Sequence, residues 1–94
     1  MNKRFIVVAY DIPDDTRRTR LHKRLLDFGT PVQYSVFECL LADKDLERMR
    51  RAVARTIKPR LDQVRYYFLC ETCRGKIETT GGAEVVKEVV DIVV

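Results

Sequence analysis

The run Phe5-Ile6-Val7-Val8-Ala9-Tyr10 is apolar on both faces of an extended chain, and it stops on a carboxylate, Asp11. Alternate strand side chains point to opposite sides of a sheet. Phe5, Val7 and Ala9 would therefore line one face and Ile6, Val8 and Tyr10 the other. A strand of this kind belongs in the middle of a sheet and expects cover on both sides. The run is only six residues long and has no small-residue cleavage site, so it reads as a strand rather than a signal peptide. No segment approaches the ~20 apolar residues of a membrane-spanning helix. The expectation is a cytoplasmic protein with no membrane partner.

The turn Asp11-Ile12-Pro13-Asp14-Asp15 leads into a helix expected over 15–28, with an Asp as N-cap, Leu21, Leu25 and Phe28 as its apolar stripe, and Gly29 ending it. Residues 32–41 are rich in β-formers, and the pattern fits either one bent strand or two strands joined by a tight turn near Tyr34 and Ser35. Asp43 is placed to cap a second helix over 44–57, with Leu46, Met49, Val53 and Ile57 on one stripe and Pro59 stopping it. Val64 to Cys70 reads as a strand with Val64, Tyr66, Phe68 and Cys70 on one face and Tyr67 and Leu69 on the other. Lys76 to Thr80 fits a short edge strand before Gly81-Gly82. The valine pairs of the tail suit helix by spacing and strand by β-branching, with strand favoured at the very end.

This order makes an α+β fold, a ferredoxin-like βαββαβ sandwich with an additional C-terminal strand. Its core covers residues 1–80, and residues 81–94 form a tail that could be a swapped strand. Two helices cover only one face of such a sheet, yet Ile6, Val8, Tyr10, Tyr67 and Leu69 cannot all face them. A second copy of the chain is the simplest cover, so a homodimer packed through its sheets is expected.

Charge is unevenly distributed. Residues 1–76 hold 17 basic and 10 acidic side chains, whereas residues 77–94 hold one Lys and four acids. A basic body suits a polyanion, and 12 of the 18 cations are Arg, the better bidentate partner for phosphate. Arg17, Arg20, Lys23 and Arg24 spread over the outer face of the first helix. Arg48, Arg51, Arg55 and Lys58 form a basic stripe along the second. Arg17, Arg24, Arg48, Arg51, Arg55 and Lys58 are the expected contacts to a phosphate backbone, read by shape and charge more than by sequence. The plain alternative is a solvated helix face.

Asp11 ends an apolar strand just before a helix, where ligands approach open sheets. It is a candidate metal ligand or general base, or else a simple turn former. One carboxylate holds a catalytic metal poorly. Two copies across a two-fold axis, with water in the remaining sites, would suit Mg²⁺. Arg18 falls on the stripe of Leu21, Leu25 and Phe28, so it must either snorkel outward or meet an anion, Asp11 or a bound phosphate. His22 reads as a surface residue, and Tyr10 and Tyr34 as core or interface aromatics that could instead stack on a base. Cys70-x-x-Cys73 lacks the further ligands of a closed zinc site, and the three cysteines read as buried small hydrophobes.

Taken in order, Tyr10-Asp11-Ile12-Pro13-Asp14-Asp15 with Arg18 and Arg20, then Gln33-Tyr34-Ser35-Val36-Phe37-Glu38, then Tyr67-Phe68-Leu69-Cys70-Glu71-Thr72-Cys73-Arg74 closely resemble the CRISPR-associated Cas-two proteins. The resemblance runs from residue 4 to about residue 80. It implies a ferredoxin-like homodimer whose strand-end aspartate binds a divalent metal at the dimer interface. It also implies a metal-dependent endonuclease of single-stranded RNA and, in some members, double-stranded DNA. Further, it implies a part in spacer acquisition for antiviral defence beside the Cas-one integrase, where a non-catalytic DNA scaffold is the alternative role. Matched residue by residue, Asp11 becomes the catalytic and metal-binding residue. Tyr10, Arg18, Arg20, Ser35 and Phe37 become its supporting residues.

Overall fold

A computed structural model of the chain describes residues 3–81. The elements run in the order β1 (Arg4–Asp11), α1 (Asp15–Leu25), β2 (Gly29–Gln33), β3 (Val36–Leu41), α2 (Asp43–Thr56), β4 (Gln63–Leu69) and a single-turn α3 (Glu71–Arg74). The four strands form one antiparallel sheet in the order β2-β3-β1-β4. This is the ferredoxin-like arrangement the sequence predicts, with the two-faced strand β1 inside the sheet. Among the described residues no helix is long and apolar enough to cross a membrane.

Register assigns the faces. Ile6 pairs with Cys39 and Phe68, and Val8 with Phe37 and Tyr66, so these side chains share one side of the pleat with Tyr10. That side carries the core, in which Leu21 and Leu25 of α1 and Leu46, Met49 and Val53 of α2 pack on Ile6, Val8, Phe37 and Cys39. Each such side chain, fully buried, stabilises the fold by about 1.5–3 kcal/mol. The opposite side carries Phe5, Val7, Ala9 and Asp11, flanked in register by Val36, Glu38 and Leu40 of β3 and by Arg65, Tyr67 and Leu69 of β4. No helix covers it along its length. Arg74 of α3 reaches one end, its guanidinium 4.9 Å from the centre of the Phe5 ring. Val7, Ala9, Val36, Leu40 and Leu69 stay half-buried, and Tyr67 stands exposed.

Several local expectations change. Helix α1 is capped by Asp14, whose carboxylate accepts from the Arg17 N–H at 2.8 Å, but it ends at Leu25 rather than residue 28. Gly29 does not stop the helix. It opens β2, where a Cβ would run into Cys39 Sγ and the Glu38 carbonyl oxygen, so close strand packing requires a glycine there. Residues 32–41 are two strands, with Tyr34 and Ser35 as the turn between them. Asp43 is the first residue of α2 rather than its cap, and its carboxylate pairs with Arg4 at 3.2 Å. After β4 the chain enters α3, and residues 76–80 form no strand because they leave the sheet through that turn. Cys39 is buried as expected, but Cys70 and Cys73 are exposed, since they lie beyond the last strand. Of the tail expected over 81–94, with its additional strand and possible swap, residues 82–94 lie outside the described residues.

Candidate functional site

Strand β1 ends because Pro13 has no N–H to continue the ladder, and Asp11 opposite Gln63 is its last paired position. The Asp11 side chain is exposed and has no hydrogen-bond or ion-pair partner among the described residues. By alternation it stands on the open face of the sheet, in line with Ala9 and Val7.

The residues expected to support it divide between the two faces. Tyr10 is buried on the helix side. Its hydroxyl lies 3.5 Å from His22 Nδ1, and its N–H donates to the Ser35 carbonyl at 3.0 Å. Burial first, and then Tyr34, raises the Tyr10 hydroxyl above the ordinary phenol range, with Arg18 opposing. Phe37 is fully buried in the core and packs at 6.4 Å from Tyr10 and edge-on at 5.1 Å from His22. His22 is therefore half-buried between two aromatics rather than a surface residue. Ser35 contributes its backbone to the turn, which fixes the end of β1.

Arg18 meets an anion, but that anion is Asp15, one helical turn back, rather than Asp11. The same guanidinium donates to the Ile12 carbonyl at 2.7 Å and to the Tyr34 hydroxyl at 3.1 Å. Its pKa is raised chiefly by the Asp15 hydrogen bond. Arg18 thus ties the loop after Asp11 to the β2–β3 turn, along a cleft of about 340 Å³ that Tyr10, His22, Lys23 and Tyr34 also line. Arg20 is exposed on α1 with no ion-pair partner among the described residues.

Arg17 is turned inward rather than left for phosphate. Its Nε and Nη2 donate to the two Asp62 carboxylate oxygens at 2.8 and 2.9 Å, and the Lys58 N–H donates to Asp62 at 2.8 Å. The Asp62 side chain is fully buried. The Arg17 hydrogen bond above all holds the Asp62 carboxyl below the usual carboxylate range, against its burial. This clamp joins the start of α1 to the loop before β4. Nothing in the local sequence announces Asp62, because its partner lies 45 residues away.

The basic stripe of α2 forms as expected. Arg51 and Arg55 are exposed and have no ion-pair partner among the described residues, and the same is true of Arg24 on α1. Arg48 is exposed but paired with Asp45 at 3.0 Å, and it lies over the Phe28 ring at 5.7 Å. Lys58, exposed just past the helix, gives its backbone N–H to Asp62 and leaves its ammonium outside.

The donor set at Asp11 suits a hard cation that keeps most of its water, because an exposed carboxylate without a competing cation offers oxygen ligands. No group of three or more His, Cys, Asp or Glu able to hold a metal occurs among the described residues. One chain therefore fits Mg²⁺ only as part of a larger donor set, such as two Asp11 carboxylates and water.

Strand order and helix placement put the chain in the class of ferredoxin-like α+β sandwiches, with an acidic residue at the end of a central strand. Its family is equally defined. The family profile described as CRISPR associated protein Cas2 matches residues 4–77, and the chain belongs to that family. It is 44% identical over 81 residues to a "CRISPR-associated endonuclease Cas2 2" of Thermus thermophilus, covering 86% of each chain. It is 40% identical over 83 residues to a "CRISPR-associated endoribonuclease Cas2 4" of Rhodospirillum rubrum, covering 88% of this chain and 66% of that one. Among solved structures, Streptococcus pyogenes Cas2 at pH 6.5 superposes with a TM-score of 0.73 at 27% identity, covering 82% of this chain and 99% of that chain.

Proposed function

We propose that this chain is a Mg²⁺-dependent endonuclease that hydrolyses phosphodiester bonds in RNA, and also in duplex DNA, as a homodimer. The observation that carries this reading is Asp11, an exposed carboxylate without a cation partner at the end of a largely apolar sheet face. A second copy packed on that face by two-fold symmetry buries Val7, Ala9 and Tyr67 and supplies a second Asp11. A magnesium ion held by the two carboxylates would polarise a phosphoryl oxygen and lower the pKa of its bound water. Arg18 and the β2–β3 turn fix the loop that follows Asp11, and exposed arginines hold the phosphate backbone. The endonuclease and endoribonuclease names of the relatives support the reaction class. Family membership supports a place in spacer acquisition beside the Cas-one integrase.

A second reading rests on α2. Arg51 and Arg55, unpaired among the described residues, suit a non-catalytic subunit that holds duplex DNA for that integrase. Cleavage of RNA and DNA by the purified chain and by Asp11→Asn, with and without Mg²⁺, separates the two. The nuclease reading expects metal-dependent cleavage that falls at least roughly a hundredfold in the variant. Equal residual cleavage in both proteins overturns it and leaves the scaffold.

A further inference from the structure

Outside the nuclease site, one reactive pair has no part in the reading above. Cys70 and Cys73 bracket the turn that takes the chain from β4 into α3, and both thiols are free and exposed. Cys70 Sγ accepts from the Cys73 N–H at 3.4 Å, and the Cys70 carbonyl accepts from the Arg74 N–H at 2.8 Å. Cys70 is the N-cap of α3 and Cys73 its third residue, and the bond from the Cys73 N–H to Cys70 Sγ sets the two side chains on the same side of that turn. The two thiols also interact side chain to side chain, so the sulfurs are neighbours.

The pair is also chemically unequal. The Cys73 N–H, and then the Cys73 thiol, stabilise a thiolate at Cys70 and lower its pKa, whereas the same contact raises that of Cys73. Cys39 contrasts with both, since burial pushes its thiol up to about 12 and encloses it against Met49. A Cys-x-x-Cys pair with one activated, exposed thiol is the arrangement that thiol–disulfide exchange uses.

We propose that Cys70 and Cys73 are a reversible dithiol–disulfide site, oxidised by exchange with a low-molecular-weight disulfide such as oxidised glutathione, with Cys70 as the attacking thiol. The Cys70 thiolate attacks one glutathione sulfur, forming a mixed disulfide and releasing the first glutathione thiolate. Cys73, deprotonated, then attacks Cys70 Sγ, closing the intramolecular bond and releasing the second glutathione. Two protein thiols are oxidised as one disulfide is reduced to two thiols, and the two protons pass to the departing thiolates. The bond forms beside Arg74, which lies over Phe5, so oxidation fixes the turn that covers one end of the open sheet face.

The test equilibrates the full chain in buffers of graded oxidised-to-reduced glutathione ratio, then alkylates the remaining thiols and measures intact mass. The expected product is lighter by about two daltons per chain and retains one alkylatable thiol, Cys39, after denaturation. Products carrying only bound glutathione, disulfide-linked dimers, or three free thiols at the most oxidising ratio would each overturn the proposal. Two variants assign the attacking group. Cys73→Ser traps one glutathione per chain, and it does so at least about threefold faster than Cys70→Ser at neutral pH. Equal trapping rates overturn the assignment to Cys70. Both positions are exposed, and unchanged far-UV circular dichroism verifies that each variant is folded.

Discussion

The two faces of β1 are made from the same kinds of residue and end in opposite circumstances. On one face Ile6 and Val8 are wholly excluded from solvent, locked between Phe37, Cys39 and the stripes of two helices. On the other, Val7 and Ala9 remain half-buried, and Tyr67 beside Val7 is 45% exposed. The first face is enclosed within one chain along β1, where Tyr10 and Phe37 act by packing, while Phe68 on β4 stays 42% exposed beneath Arg4 and Arg50. The second combines an incomplete apolar layer with Asp11, the residue best suited to chemistry. Contiguous apolar surface of this kind marks an interaction site. On the proposed reading, stability and function separate across the thickness of one sheet.

Damage to the helix face should then act on folding first. Phe37→Ala removes the largest of the fully buried side chains and should destabilise the chain by about 3–5 kcal/mol, a large share of the 5–15 kcal/mol typical of a domain. Chemical denaturation should show the loss as a lower midpoint with an unchanged slope. A variant that loses nuclease activity while keeping its midpoint would show instead that Phe37 acts at the site.

The Arg17–Asp62 clamp is a polar counterpart of the same enclosed side. Asp62→Asn removes the charge while leaving the Arg17 guanidinium half-enclosed, and should lower Tm by roughly 5–15 °C. Its pH dependence follows from the depressed Asp62 carboxyl. The stabilisation is complete above the unfolded value near 3.9 and is lost as pH falls through the lower folded value. The Tm gap between the parent chain and Asp62→Asn should therefore narrow from about pH 4 downward. A gap that stays constant into acid would mean that the ion pair contributes packing alone.

How much of this was readable from sequence depends on the range of the interaction. The two-faced run Phe5 to Tyr10 dictated an inner strand, and the stripe of Leu46, Met49 and Val53 dictated the buried side of α2, because both patterns are local and periodic. Asp11 was legible for the same reason, as a polar residue ending an apolar strand. The Asp15 partner of Arg18 lay within one helical turn, yet pattern alone could not rank it above Asp11. Asp62 was invisible, since only the fold brings it to Arg17. Gly29 looked like a helix stop because glycine serves both as a cap and where backbones crowd together, and only strand pairing shows that Cys39 leaves no room for a Cβ.

The open face is tested most directly by Val7→Lys. In register Val7 lies between Glu38 and Tyr67, so a lysine there can lay its stem on the sheet near a carboxylate while placing a charge at the centre of the face. The single chain should lose no more than about 1 kcal/mol. The proposed homodimer should dissociate, which sedimentation at micromolar concentration would register as a fall to monomer mass, with the proposed nuclease activity falling alongside it. A dimer that survives would place self-association on another surface and remove the case for paired Asp11 carboxylates.

The smallest effect on folding is expected farthest from either face of the sheet, on the outer side of α2. Arg51 and Arg55 are exposed and unpaired among the described residues, so the double variant Arg51→Ala, Arg55→Ala should change stability by no more than about 0.5 kcal/mol. Its effect should be on nucleic-acid affinity. Deleting one arginine that neutralises a phosphate lowers the slope of log affinity against log salt by about 0.9 for a duplex, so deleting both lowers it by close to two per chain. Arg17→Ala supplies the contrast: because its guanidinium already holds Asp62, it should lower Tm and leave the salt slope unchanged. If Arg17→Ala flattened the slope instead, the clamp would have to open on binding, and the enclosed side of the molecule would be part of the nucleic-acid surface.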